Sequence, residues 1–81
     1  MRDNQLRWVN VKSSRIKSLR YDPSTLVLDV KFRNGRVYQY SNVTISMFDT
    51  VISAESIGSA FGLVIENNST VKYEEITRKD I

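Results

Sequence analysis

The pair Asn34-Gly35 lies between two runs that alternate in polarity, with Leu26, Leu28, Val30 and Phe32 before it and Val37, Tyr38 and Tyr40 after it. Both turn residues accept positive φ, and alternating runs around such a pair define a β-hairpin. The hairpin constrains everything else, because a chain of 81 residues has material for one domain of about two packed layers and buries only ~60 to 65% of its unfolded surface. Upstream, Arg15 to Tyr21 forms another short run, separated from the Leu26 strand by Asp22-Pro23-Ser24-Thr25. Pro presets φ for a β-turn and the Asp side chain can accept hydrogen bonds from the backbone beyond it. These runs predict a three-stranded antiparallel meander. Leu6 to Val11, with Trp8, either adds an edge strand or packs across one end, so residues 1–10 are an N-terminal extension or edge strand.

The register of the hairpin decides which residues are available for function. A two-residue turn pairs Arg33 with Arg36 and sends Tyr38 and Tyr40 to the face of Asp29 and Lys31. A three-residue loop with a bulge at Gly35 pairs Phe32 with Arg36 and Val30 with Tyr38, which places both tyrosines on the face of Leu28, Val30 and Phe32. The first register turns Gln39 and Ser41 toward the apolar face, and an unpaired buried polar group costs on the order of 1 to 3 kcal/mol. The polarity pattern therefore favours the bulged loop, with Tyr38 and Tyr40 at the edge of the core.

After Val43 the period changes. Ile45, Phe48, Val51 and Ile52 fall at helical spacing with Thr44 or Ser46 as N-cap, and Ile57, Ala60, Phe61 and Val64 define a second helical face with Ser56 as N-cap and Asn67-Asn68 as a stop. Val71 and Tyr73 suggest a last short strand before a charged tail at residues 77–81. The expected fold is α+β: a small antiparallel meander of three to four strands with two short helices packed on one face, the whole chain (residues 1–81) forming a single domain. Ala54, Gly58 and Gly62 form a small-residue stripe whose plain explanation is close packing on the sheet, with a homodimer contact as the sharper one.

The sequence contains no Cys and no His, which removes disulfides, thiolate nucleophiles, Cys/His zinc sites and imidazole bases. Glu74 and Glu75 are adjacent and on a strand point to opposite faces. Asp22, Asp29 and Asp49 imply no convergence, and Ser13-Ser14 have only Lys12 or Lys17 to serve as a base. A non-enzymatic binding module without metal or cofactor is expected. Met1 is followed by Arg2, Asp3, Asn4 and Gln5 with no apolar segment behind them, so a cytoplasmic location away from membranes is the expectation.

The net charge of +3 conceals polarity: residues 1–40 carry nine cations against three anions, +6, and residues 41–81 three cations against six anions, −3. Cations and rings interleave between Arg20 and Tyr40, a pattern suited to nucleic acid, in which cations neutralise phosphates and rings stack on bases. The candidate nucleic-acid-binding residues are Lys17, Arg20, Lys31, Arg33, Arg36, Tyr38 and Tyr40, on a basic sheet face and hairpin, with RNA favoured over DNA. The alternative is a protein-interaction module or accessory factor that uses a strand edge or the acidic helical half.

Five segments in succession carry a family likeness: Ser13-Ser14-Arg15-Ile16, Tyr21-Asp22, Phe32-Arg33-Asn34-Gly35, Tyr38-Gln39-Tyr40, and Ala54-Glu55-Ser56-Ile57-Gly58 with Phe61. From about Val11 to Tyr73 the chain resembles the KTSC domain, a short module named from the C-terminus of some lysyl-tRNA synthetases that also occurs as a stand-alone bacterial or phage protein. The resemblance implies RNA binding by association with a synthetase. Two positions depart from the pattern. Thr44 stands where proline is usual, and Ala60 to Glu66 is apolar and acidic where the family is more often basic or polar.

Overall fold

The computed structural model describes residues 7–76. At Asn34-Gly35 the loop is the bulged one: Gly35 takes φ +91°, the Phe32 amide donates to the Arg36 carbonyl at 2.9 Å, and the Gly35 amide donates to the Phe32 carbonyl at 3.0 Å. The Asn34 side chain accepts from the Arg36 amide at 2.9 Å. Val30 therefore pairs with Tyr38 and Leu28 with Tyr40, the register that the placement of Gln39 and Ser41 predicts.

Around this hairpin the chain builds an antiparallel sheet in sequential order: β1 (Val9–Asn10), β2 (Ile16–Asp22), β3 (Val27–Phe32), β4 (Val37–Ser41) and β5 (Lys72–Ile76). Between β4 and β5 lie α1 (Ile45–Ile52), α2 (Ile57–Phe61) and a π-helical turn, Gly62–Glu66, that continues α2. The α+β class agrees with expectation, but the sheet has five strands rather than three to four. The N-terminal stretch does pair, over two residues, and after the helices the chain returns to the free edge of β4, setting Tyr73 opposite Tyr40. The expected charged tail at 77–81 and the first six residues of the N-terminal extension lie outside the described residues.

The turns obey their local chemistry. The Asp22 carboxylate accepts from the Ser24 amide at 2.9 Å and the Ser24 hydroxyl at 2.6 Å, and these bonds lower its pKa. Leu26 closes that turn at φ +60°, and its carbonyl accepts from the Val43 amide at 2.9 Å. Thr44 caps α1 by accepting from the Met47 amide, and Ser56 caps α2 by accepting from the Ser59 amide.

Helices and sheet share one core on the inner face. Ile16, Leu19, Leu28, Val30, Tyr40, Val51, Phe61 and Ile65 are buried in it. The α2 face forms as its spacing predicts. In α1 the rotation differs, because Tyr21 stacks on Phe48 with centroids 4.4 Å apart and its hydroxyl donates to the Val43 carbonyl. That contact turns Met47, Phe48 and Val51 inward and leaves Ile45 and Ile52 54% and 42% exposed. The small-residue stripe is also interrupted, since Ala54 lies in the turn between helices. The close approach at Gly58 is internal: a Cβ there would stand 3.2 Å from the Ser13 hydroxyl. No helix among the described residues is long and apolar enough to cross a membrane.

Because an L side chain at φ +91° is strained, Gly35→Ala is expected to lower the unfolding free energy by about 1 to 2 kcal/mol, with Gly35→Asn losing less. Urea denaturation followed by circular dichroism checks both.

Candidate functional site

The seven predicted residues separate into two groups. On the outer face of the sheet, Arg20 is opposite Asp29 and donates to one carboxylate oxygen through Nε at 3.0 Å and Nη2 at 2.8 Å. The other oxygen accepts from the Gln39 amide at 3.2 Å. This satisfies a carboxylate that is 7% exposed, as burial of a charge requires. Arg20 and Lys31 both lie against the Trp8 ring, at 4.5 and 4.7 Å from its centroid, so cation–π contact occupies them further. Lys17 stands exposed at the bulge in β2. Much of the cationic sheet face is thus committed to intramolecular contacts.

The second group, Arg33, Arg36, Tyr38 and Tyr40, converges on a cleft of about 590 Å³ at the hairpin end of the inner face. Tyr38 and Tyr40 sit side by side on β4, and β5 sets Tyr73 against both, with centroids 6.1 and 5.8 Å away. Phe32 meets Tyr38 edge-on at 5.7 Å, and Phe61 meets Tyr40 edge-on at 5.2 Å. Tyr40 is buried, Tyr38 half-buried, and Tyr73 remains 68% exposed, so the ring cluster grades from core to solvent.

Cations stand around these rings. The Arg15 guanidinium lies 5.5 Å from the Phe32 ring centroid and 5.6 Å from that of Phe61, and its Nη2 donates to Glu66 at 2.5 Å. Arg33 is held by its Nε, which donates to the Ser13 carbonyl at 2.7 Å; its remaining guanidinium nitrogens make no hydrogen bond to the described residues. Arg36, on the rim, makes a long contact of 3.4 Å with Glu75. Exposed pairs of this kind are worth ~0 to 1 kcal/mol, so a phosphate can compete for the arginine.

Burial raises the pKa of the Tyr40 hydroxyl, and the nearby Glu66 charge adds to the effect while Arg15 opposes it. That hydroxyl makes no hydrogen bond to the described residues, which leaves it available to the cleft. Sequence reasoning did not select Arg15, Glu66, Tyr73 or Phe32. Tyr73 could have been found from the last strand pattern, whereas the Arg15–Glu66 contact spans 51 positions and has no local signal. No cluster of acidic side chains among the described residues could hold a metal ion.

These features define a small α+β domain whose sheet, covered on one side, presents an aromatic cleft rimmed with arginine. The KTSC domain profile matches residues 12–73, and the chain belongs to that family. It is 33% identical over 61 residues to an uncharacterized protein of Stutzerimonas stutzeri, covering 75% of this chain and 86% of that one. It is 32% identical over 66 residues to the lysine–tRNA ligase of a Nostoc species, covering 82% of this chain but 11% of the ligase. The crystal structure of a KTSC domain protein from Yersinia pestis superposes with a TM-score of 0.79 at 32% identity, covering 89% of this chain and 99% of that chain.

Since the raised Tyr40 pKa means that the unfolded chain releases this proton first, stability falls as pH rises above about 10. Tyr40→Phe, which removes no bond to a described residue, is expected to change stability by less than about 1 kcal/mol at neutral pH and to blunt the alkaline loss. Denaturation curves at neutral pH and above pH ~10 check this.

Proposed function

We propose that this domain is a non-catalytic, cytoplasmic module that binds single-stranded RNA through the cleft. The observation that carries the reading is the convergence of Tyr38, Tyr40 and Tyr73 with Arg33 and Arg36 at one open end of the domain. The exposed Tyr73 ring and the half-buried Tyr38 ring accept stacked bases over the buried Tyr40, and arginines on the rim meet the phosphates that connect them. Arg33 is the leading phosphate contact, because one bond to Ser13 fixes its direction while leaving the outer nitrogens to a ligand. Lys17 is exposed but does not line the cleft, and Arg20 and Lys31 serve the sheet before they serve a ligand.

The choice of RNA draws on the relative among lysine–tRNA ligases, for which a tRNA is the named substrate. A protein-interaction role has its own support in Ile45, Ile52 and Leu63, which stay 54%, 42% and 73% exposed on the helical layer. The two readings separate by salt dependence, because apolar docking lacks the counterion release that weakens RNA binding as salt rises.

Two phosphate contacts to a single strand account for a slope of about −1.4 in log K against log salt. The double variant Arg33→Ala/Arg36→Ala is expected to lose about that much of the wild-type slope and roughly tenfold or more in affinity for a single-stranded RNA, and Tyr73→Ala to lose about 1 to 3 kcal/mol of binding. Fluorescence anisotropy at several salt concentrations measures both, and an unchanged slope and affinity in the double variant would refute the reading.

A further inference from the structure

The cleft carries polar groups that neither stacking nor phosphate binding uses. Glu66 ends the π-helical turn, in which the Asn67 amide donates five residues back to the Gly62 carbonyl at 3.0 Å. Such turns are rare and concentrate at functional sites. Here the turn buries Ile65 in the core and brings Glu66 to Arg15. Arg15 fixes the carboxylate by bonding Oε2, while Oε1 receives no hydrogen bond from the described residues. The Tyr40 hydroxyl belongs to another residue lining the same cleft, one only 4% exposed and also without a partner among the described residues.

We propose that these two cleft-lining groups select guanine: the Glu66 carboxylate accepts from N1–H and the N2 amino group, and the Tyr40 hydroxyl donates to O6. The inference rests on the RNA-binding reading and deepens it. An ionised carboxylate only accepts, and its two oxygens suit two adjacent donors even when one of them already bonds an arginine. Among the four RNA bases, guanine alone offers two neighbouring donors on its Watson–Crick edge, with an acceptor next to them. Adenine and cytosine each set an acceptor beside their amino group, and uracil flanks its single N–H with two carbonyls. Those lone pairs would face the carboxylate at the cost of its desolvation. Unstacked bases of a single strand expose this edge for such reading, and a cleft of about 590 Å³ is within the size range of ligand sites.

The test compares labelled nine-nucleotide RNAs, all uridine except for G, A, C, U or inosine at the centre, by fluorescence anisotropy with the full chain. The guanosine RNA is expected to bind about tenfold or more tightly than those with A, C or U, and inosine, which lacks only the N2 amino group, to fall between. Glu66→Gln should reduce the preference for guanosine over uridine to about twofold, compared within the variant because loss of the carboxylate charge beside Arg15 raises affinity for every RNA. Inosine tests the same contact without altering the protein, so the inference stays exposed even if the variant misfolds. Equal binding of all five RNAs would overturn guanine selection and leave RNA binding standing. A guanine preference that survives Glu66→Gln, or is indifferent to inosine, would overturn the assigned contact. Failure to bind any of them would overturn both proposals.

Discussion

Because side chains alternate across a strand, the loop at Asn34-Gly35 determines which half of β4 meets the helices. With the bulge at Gly35, Tyr38 and Tyr40 join Leu28 and Val30 on the inner face, and Gln39 goes outward to Asp29. A loop one residue shorter would exchange these sets, burying an amide and removing the rings against which Phe61 packs. The helical layer, the aromatic cleft and the satisfied carboxylate of Asp29 are three results of one glycine in the left-handed region.

The same register gives the two faces unlike electrostatics. Outside, Arg20, Asp29, Gln39, Lys31 and Trp8 form a network in which most polar groups already have a partner. Inside, at the hairpin end, the arginines are oriented but incompletely used: Arg33 through its single bond to Ser13, Arg36 by a long contact to Glu75, and Arg15 by Glu66. Ser13 contributes three times, accepting through its hydroxyl from the Arg15 and Ile16 amides, holding Arg33 through its carbonyl, and packing where Gly58 leaves room. The loop before β2 thereby ties the cleft to α2.

What could be read from the sequence was what local patterns encode. Gln39 and Ser41 revealed the register by the cost of burying them, Asp22 the turn it opens, Thr44 or Ser46 and then Ser56 the helix starts, and Ile57, Ala60, Phe61 and Val64 the buried face. The cleft was only half legible, because Arg33, Arg36, Tyr38 and Tyr40 are neighbours along the chain, whereas Arg15, Glu66 and Tyr73 reach it from the loop before β2, the π-helical turn and β5. The π-helical turn has no signature in the spacing of its residues, and it is what brings Glu66 to Arg15. The rotation of α1 was also hidden, since the Tyr21–Phe48 stack that sets it joins residues from different layers. The partners of Arg20 and Lys31 were hidden as well, since strand pairing and the fold of Trp8 supply them.

β5 has a consequence for the way the domain moves. Among the described residues it is an edge strand that pairs only with β4, and four of its five residues are exposed, so it belongs to the parts of a fold that open at the least free energy and exchange their amide hydrogens first. Tyr73, the most exposed ring of the cleft, rides on it. The wall nearest the solvent can therefore detach while Tyr40 and the rest of the core stay folded, and the completeness of the cleft is governed by a fraying equilibrium at the sheet edge rather than by global stability. Anything seated against Tyr73 would slow that fraying, and a ligand would register in the exchange of β5 amides before it altered any other strand.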